Sequence, residues 1–141
     1  MTIAVKRVYE TASAADGVRV LVDRLWPRGL RKEEAAVKFW LHALAPSTEL
    51  RQWFHANPNA WGLFRKRYLK ELVSPPAAAA VEKLHGLVEK KPKVTLLYAS
   101  KNEEHNNAIV LKELLEGGRK PPSSVGRGAL GRGRIRKAKK Q

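Results

Sequence analysis

The sequence predicts an α/β protein, a small parallel or mixed sheet covered by helices and followed by a disordered basic tail. Three observations carry that expectation. Residues 18–22 and 94–98 are almost continuously apolar and β-branched, the pattern of strands buried on both faces. The segments around them hold apolar residues at helical spacing, and the helical connections are longer than a dozen residues, as a layered α/β domain requires. The chain has 141 residues, enough for one domain with a real core, and its last 25 differ sharply in composition from the rest.

Residues 3–9, Ile-Ala-Val-Lys-Arg-Val-Tyr, read as the first strand. Residues 13–17 form a loop with a turn glycine, and residues 18–22 a second strand whose one polar side chain is Arg19. Trp26-Pro27-Arg28-Gly29 stops it, since proline lacks a donor and glycine permits positive φ. The spacing predicts a helix over 32–44, with Ala36, Phe39, Trp40 and Leu44 near one face. Ser47 then caps a short helix over 48–55. Asn57-Pro58 predicts the same device, asparagine as N-cap and proline as first helical residue, for a helix bearing Trp61, Phe64, Tyr68 and Leu72. Ser74-Pro75 opens another through Val81, Leu84 and Val88. Pro92 precedes the third strand, 94–98. A last helix over 104–116, with Asn102 or Ser100 as its cap, carries Ala108, Leu111 and Leu115 on one face and ends at Gly117-Gly118. The pattern leaves strand order open. It divides the chain into a body, 1–116, and a tail, 117–141.

The net charge is +15. The tail holds nine Lys/Arg and no acid, whereas the body holds the other 19 basic residues and all 13 acidic ones. With few large apolar groups the tail cannot offset its ordering entropy, so disorder is expected. Arg127, Arg132, Arg134, Arg136, Lys137, Lys139 and Lys140 are its candidates for sequence-independent, salt-dependent contact with DNA or RNA. The bland alternative is a solubilising extension. The absence of cysteine excludes disulfides, thiolate catalysis and cysteine-bound zinc. The histidines, 42, 55, 85 and 105, lack metal-ligand spacing, so neither metal nor cofactor is expected. With no apolar leader and no run near the roughly 18 apolar residues that span a bilayer, the expected location is the cytoplasm, with no membrane partner.

Candidate chemistry lies where strands end, because open α/β sheets bind ligands beyond their carboxyl edges. Asp23-Arg24-Leu25-Trp26-Pro27-Arg28-Gly29 directly follows the second strand. Arg24 and Arg28 suit a phosphate or carboxylate, Trp26 suits stacking, and Asp23 is the candidate general base. After the third strand, Tyr98, Ser100, Lys101 and Asn106 offer donors near a helix N-terminus. Arg7 and Arg51 complete the set. A small phosphorylated or anionic ligand is the partner these residues fit, provided their side chains converge. The alternative is a structural or protein-interaction domain in which Trp26 fills the core and the arginine motif is a salt-bridged core.

Several stretches together resemble a known family. They are Val5-Lys-Arg-Val-Tyr-Glu10, Gly17-x-Arg-Val-Leu-Val-Asp-Arg-Leu-Trp-Pro-Arg-Gly29, Trp40, Ala45-Pro-Ser47, Leu50-Arg51 and Trp53-Phe54. Phe64, Tyr68, Glu71-Leu72, Thr95-Leu-Leu-Tyr98, and Lys101-Asn102 to Asn106-x-Ala108 complete the series. Over about residues 3–115 the chain is similar to the YeaO-like branch of the family called domain of unknown function 488. The resemblance implies a small bacterial cytoplasmic α/β protein with no established reaction. It maps recurrent motifs onto Lys6, Arg7, Asp23, Arg24, Trp26, Pro27, Arg28, Gly29, Pro46, Ser47, Arg51, Tyr98 and Asn106. The chain departs from the pattern at Lys38, where the family usually has an acid, and near His42, where it often has lysine. The family's Asn-His-Ala appears here as Asn106-Asn107-Ala108, which would impair this member if that histidine were an acid–base catalyst. The basic tail lies outside the family pattern.

Overall fold

The computed structural model describes residues 2–117. The expected disorder of the tail, and its nucleic-acid-binding candidates, lie outside the described residues. The chain divides into two units, residues 1–110 and 111–141. The first carries the sheet. Of the second, the described part is the end of the last helix, where Lys112 pairs with Glu116 at 3.5 Å.

Among the described residues four parallel strands form one sheet in the order β1-β4-β2-β3. They are β1 (Thr2–Arg7), β2 (Val18–Leu21), β3 (Phe39–Trp40) and β4 (Lys93–Tyr98). β4 lies between β1 and β2, with Ala4 and Arg19 both in register with Thr95. The two central strands are the ones whose sequence was almost all apolar. Val20, Leu21, Val94, Leu96 and Leu97 are wholly buried, as strands covered on both faces must be. Edge strand β1 is only half-buried along most of its length.

Among the described residues five α-helices accompany the sheet: α1 (Lys32–Ala35), α2 (Thr48–Ala56), α3 (Trp61–Leu72), α4 (Ala77–Lys90) and α5 (Asn107–Gly117). Leu50 of α2, Phe64, Tyr68 and Leu72 of α3, and Leu84 and Val88 of α4 supply the helical part of the core. A second cluster, Val8, Leu21, Ala35 and Leu97, is closed over by Trp26, Leu30, Val37 and Ala99. Each fully buried valine, leucine or phenylalanine of these clusters contributes about 1.5–3 kcal/mol when withdrawn from water.

A buried polar network ties the sheet together before β2 begins. Asp16 is 6 % and Arg19 is 4 % exposed. The Asp16 carboxylate accepts from Arg19 Nη1 at 2.5 Å, from Lys6 Nζ at 3.1 Å and from the Ser13 amide at 3.0 Å. Its carbonyl accepts from Thr95 Oγ1 at 2.6 Å. Burial opposes the Asp16 charge, but the bonds from Ser13, Lys6 and Arg19 and the Lys6 charge outweigh it, so the pKa falls below the usual aspartate value. Gly17 follows at φ +66°, and an added Cβ would lie 2.4 Å from the Lys93 carbonyl oxygen, so only glycine fits.

The helix expected over 32–44 is not formed. Helix α1 stops at Ala35, whose carbonyl is claimed by Arg19 through Nε at 3.0 Å and Nη2 at 2.7 Å. Ala36 takes a left-handed conformation, and the chain then runs as β3, with the Lys38 amide donating to Arg19 O at 2.8 Å. Tertiary bonds thus override a helical spacing that Phe39 and Trp40 had mimicked. Two capping assignments also change. Asn57 does not open α3 but donates through Nδ2 to Trp53 O at 2.8 Å, at the end of α2. Neither Asn102 nor Ser100 caps α5: Asn106 does, with Oδ1 accepting from the Ile109 amide at 3.0 Å. Ser47 caps α2 as expected, its Oγ accepting from the Leu50 amide at 3.1 Å.

Candidate functional site

Since β1, β2 and β4 are parallel, their carboxyl ends open on one side. Beyond β2, the Val22 amide still donates to Leu97 O at 3.1 Å, and Asp23 then turns out of the sheet, half-buried. Its Oδ2 accepts from the Ala99 amide at 2.9 Å and its Oδ1 from Asn107 Nδ2 at 3.2 Å. Asn107 Nδ2 also donates to Val22 O at 3.0 Å, which fixes the carboxamide. Both donors to Asp23 are neutral. Burial pushes the Asp23 carboxyl above its usual range, and the bonds from Ala99 and Asn107, with the nearby Arg51 charge, only partly oppose it.

Tyr68 of α3 lies wholly buried behind this aspartate, and its hydroxyl donates to Leu44 O. Burial first, then the charges of Asp23 and Glu71, push its pKa well above that of a free phenol, so it remains a hydroxyl donor. Glu71, one turn on, accepts from the Ser47 amide at 2.8 Å and from Ser47 Oγ at 2.5 Å. The chain's own carboxylate therefore occupies the N-terminus of α2. Arg24 reaches the same loop, its Nη2 lying 3.3 Å from both Ala45 O and Pro46 O.

A second group lies toward β1. Arg7 donates through Nε to Ser100 O at 2.9 Å and through Nη2 to Ala99 O at 3.1 Å, and it covers the Tyr9 ring at 5.2 Å. The Tyr9 hydroxyl donates to Arg28 O at 2.9 Å. Tyr98 is buried among Glu103, Glu10, Arg7 and Asn106; burial and then the two glutamates raise its pKa, against Arg7 and Asn106. Asn106 and the Ser100 hydroxyl serve the turn before α5, with the Ser100 Oγ accepting from the Asn102 amide at 3.1 Å. His105 stacks on Trp61 at 4.5 Å and 9°, pinning this turn against α3.

The predicted residues thus fall into two sets rather than one. Asp23, Arg24 and Arg51 gather at the β2 end, while Arg7, Tyr98, Ser100 and Asn106 gather at the β1–β4 end. Ala99 joins the sets, its amide on Asp23 and its carbonyl on Arg7. Arg28 and Lys101 are exposed, and Arg28 lies beside Tyr9, away from the loop that Arg24 reaches. Trp26 packs over the Val8–Leu97 cluster with its Nε1 donating to Leu30 O at 2.6 Å, and it meets Trp40 edge to face. The buried, salt-bridged arginine is Arg19, not Arg24. Sequence reasoning assigned no ligand role to Tyr68, Glu71, Ser47 or Asn107. The signal they carried was the resemblance, which includes Ser47, Tyr68 and Glu71 and marks Asn107 as the position where the family's histidine is replaced. Among the described residues no group of three His, Asp or Glu is placed to hold a metal ion, and no helix is long and apolar enough to cross a membrane.

A family model described as the inactive DUF488-N3 subclade matches residues 2–122. The chain belongs to that family. It is 44% identical over 115 residues to the uncharacterized protein YeaO of Escherichia coli K12, covering 82% of this chain and 97% of the relative. The uncharacterized proteins Mb3100c of Mycobacterium bovis and Rv3073c of Mycobacterium tuberculosis H37Rv are 42% identical over 115 residues, covering 82% of this chain and 94% of theirs. No solved structure matches. The side chain that donates to Asp23 is Asn107, at the position where the resemblance places a histidine.

Proposed function

We propose that the domain binds a small phosphate-bearing ligand, of nucleotide or sugar-phosphate size, at the carboxyl end of its sheet, and does not turn it over. The observation that carries this reading is the pairing of Asp23 with Asn107. A histidine there would give an acid–base pair at the carboxylate. A carboxamide can orient Asp23 but cannot exchange a proton with it. The other groups suited to chemistry are engaged within the chain: Glu71 with Ser47, Arg7 with two carbonyls, Asn106 with α5. The description of the matching family as inactive agrees. What remains for a ligand is exposed positive charge, from Arg51 on one side and Lys101 and Arg28 on the other.

The test is thermal unfolding of the full chain and of Arg51→Ala with inorganic phosphate, nucleotides, sugar phosphates and small carboxylates. A ligand at 100 times its dissociation constant stabilises by about 2.7 kcal/mol, which is readily measured. The expected result is a shift that Arg51→Ala abolishes, with the ligand recovered unchanged. A ligand consumed during incubation refutes the non-catalytic half, and no shift with any compound refutes the site.

A second reading concerns the tail, whose nine cations and lack of acids favour nonspecific binding of DNA or RNA. Binding that weakens steeply with salt and falls sharply when the tail cations are replaced by glutamine is the expected result.

A further inference from the structure

Helices α2 and α3 form a hairpin whose outer face is strongly basic. Residues 48–72 hold five Lys/Arg and two glutamates, half the net charge of residues 1–116. One of the two, Glu71, is turned to Ser47. Lys66, Arg67 and Lys70 are all exposed, and none of them forms an ion pair with a described residue. Of the cations at other helices, Arg31 pairs with Glu34 and Lys112 with Glu116, each at its own helix. Arg67 is further held in place, its guanidinium lying over the Trp53 ring at 4.3 Å. A guanidinium stacked in that way keeps its edge N–H groups for an anion and has already lost much of its rotamer freedom. Lys66 and Lys70 lie one helical turn apart, on the same face.

We infer that the α2–α3 hairpin, through Lys66, Arg67 and Lys70, is a contact surface for the phosphate backbone of a nucleic acid. Unpaired like charges crowded on one helix face repel each other, and a polyanion removes that repulsion while releasing its own counterions. A membrane surface fits less well. The only large apolar residue exposed on this part of α3 is Leu63, at 43 %, whereas an interfacial helix needs a whole apolar face. The contact is taken to be with the phosphates, which carry no base sequence, so it is sequence-independent. The inference rests on the reading of the chain as a binder of DNA or RNA, but it places part of the contact on the folded body rather than the tail.

The experiment is fluorescence anisotropy of a labelled 20-base-pair DNA with the full chain, from low to physiological salt. Lys66→Gln/Arg67→Gln/Lys70→Gln is compared with Arg31→Gln/Lys32→Gln/Lys38→Gln, which removes the same charge from the α1 region. Unchanged unfolding midpoints establish that both variants are folded; if the hairpin triple unfolds early, Lys66→Gln/Lys70→Gln takes its place. Each lost phosphate contact lowers the steepness of log K against log salt by about 0.9. The expected result is a fall of about two to three for the hairpin variant and little change for the other. Equal falls in both mean that only net charge matters and overturn the proposal. An unchanged slope in the hairpin variant overturns it while leaving tail binding intact, and a chain that binds no DNA at any salt overturns the underlying reading as well. If the hairpin variant loses binding to anionic phosphatidylserine vesicles but keeps its DNA slope, the surface belongs to membranes and the proposal fails.

Discussion

Asp16 and Asp23 stand at opposite ends of β2, and both are withdrawn from water, yet the chain treats them differently. Asp16 receives two cations and a backbone amide, and its carboxyl is held below the ordinary aspartate value. Asp23 receives two neutral N–H groups, with Arg51 acting only through space, and its carboxyl is held above that value. The first arrangement joins β1, β2, β4 and α1 through Lys6, Arg19 and Thr95. It is what a buried charge requires when its task is structural. The second leaves a carboxyl incompletely compensated at the edge where parallel sheets bind ligands. Partner choice, not burial, separates a structural aspartate from a site aspartate here.

The sharpest way to break that comparison is to remove each carboxyl. Asp16→Ala strands the buried Arg19 guanidinium without its counter-charge, and losing one partner of such a pair costs about 3–5 kcal/mol. Asp23→Asn strands no cation in contact and keeps an oxygen able to accept from the Ala99 amide. Its expected cost is below about 1 kcal/mol, the scale of one net hydrogen bond. Urea unfolding of the two variants measures both. Comparable losses would mean that Asp23 is as structural as Asp16.

Tyr68→Phe comes next. It leaves the buried Leu44 carbonyl without its donor and should cost about 1–3 kcal/mol. The same variant removes the hydroxyl behind Asp23 and so asks whether the site depends on it. Full retention of stability would show that the carbonyl finds another donor.

How much of this was legible in the residues depended on whether the deciding contacts were local. The central strands announced themselves, because burial on both faces leaves a continuous apolar run. The Ser47 cap was equally local. Helix 32–44 failed because the residue that ends it, Arg19, is far away in sequence and reaches the Ala35 carbonyl only in the fold. The same arginine read as one polar exception in an apolar strand, when it is the salt-bridged core that had been attached to Arg24. At the site, Asp23 was visible from its place after a strand. Its neighbours Tyr68 and Glu71 were not, since they lie on a helix whose spacing already explained Tyr68 as core. Arg7 and Asn106 looked like ligand donors but spend their hydrogen bonds on carbonyls and a helix cap.

Titration sharpens the comparison further, because the two aspartates drive stability in opposite directions. A group held below its ordinary value of 3.8 adds stability that is complete above that value and is lost as pH falls through the lower folded one. A group held above 3.8 adds stability that is complete below it and is lost as pH rises through the raised folded one. In urea unfolding from pH 3 to pH 7, the advantage of the native chain over Asp23→Asn should therefore shrink as pH rises above 3.8. Its advantage over Asp16→Asn should shrink as pH falls below 3.8. Neither slope can exceed one proton, about 1.4 kcal/mol per pH unit. Parallel profiles would erase the distinction between the two ends of β2.

The smallest effect belongs to Arg51. It forms no ion pair in contact with Asp23 and acts across space, so Arg51→Ala should leave stability within about 0.5 kcal/mol of the native chain. It should nonetheless move the Asp23 carboxyl further up, because one of the three influences opposing burial is gone. Carbon-13 NMR titration of the Asp23 carboxyl reads that movement directly. The difference between native and variant should fade as salt rises, since an exposed charge acting at a distance is screened. The Ala99 and Asn107 bonds, being contacts, should keep their influence at every ionic strength. A shift that persists in high salt would place Arg51 in direct contact with the carboxylate, and Asp23 would then resemble Asp16 more than its own geometry allows.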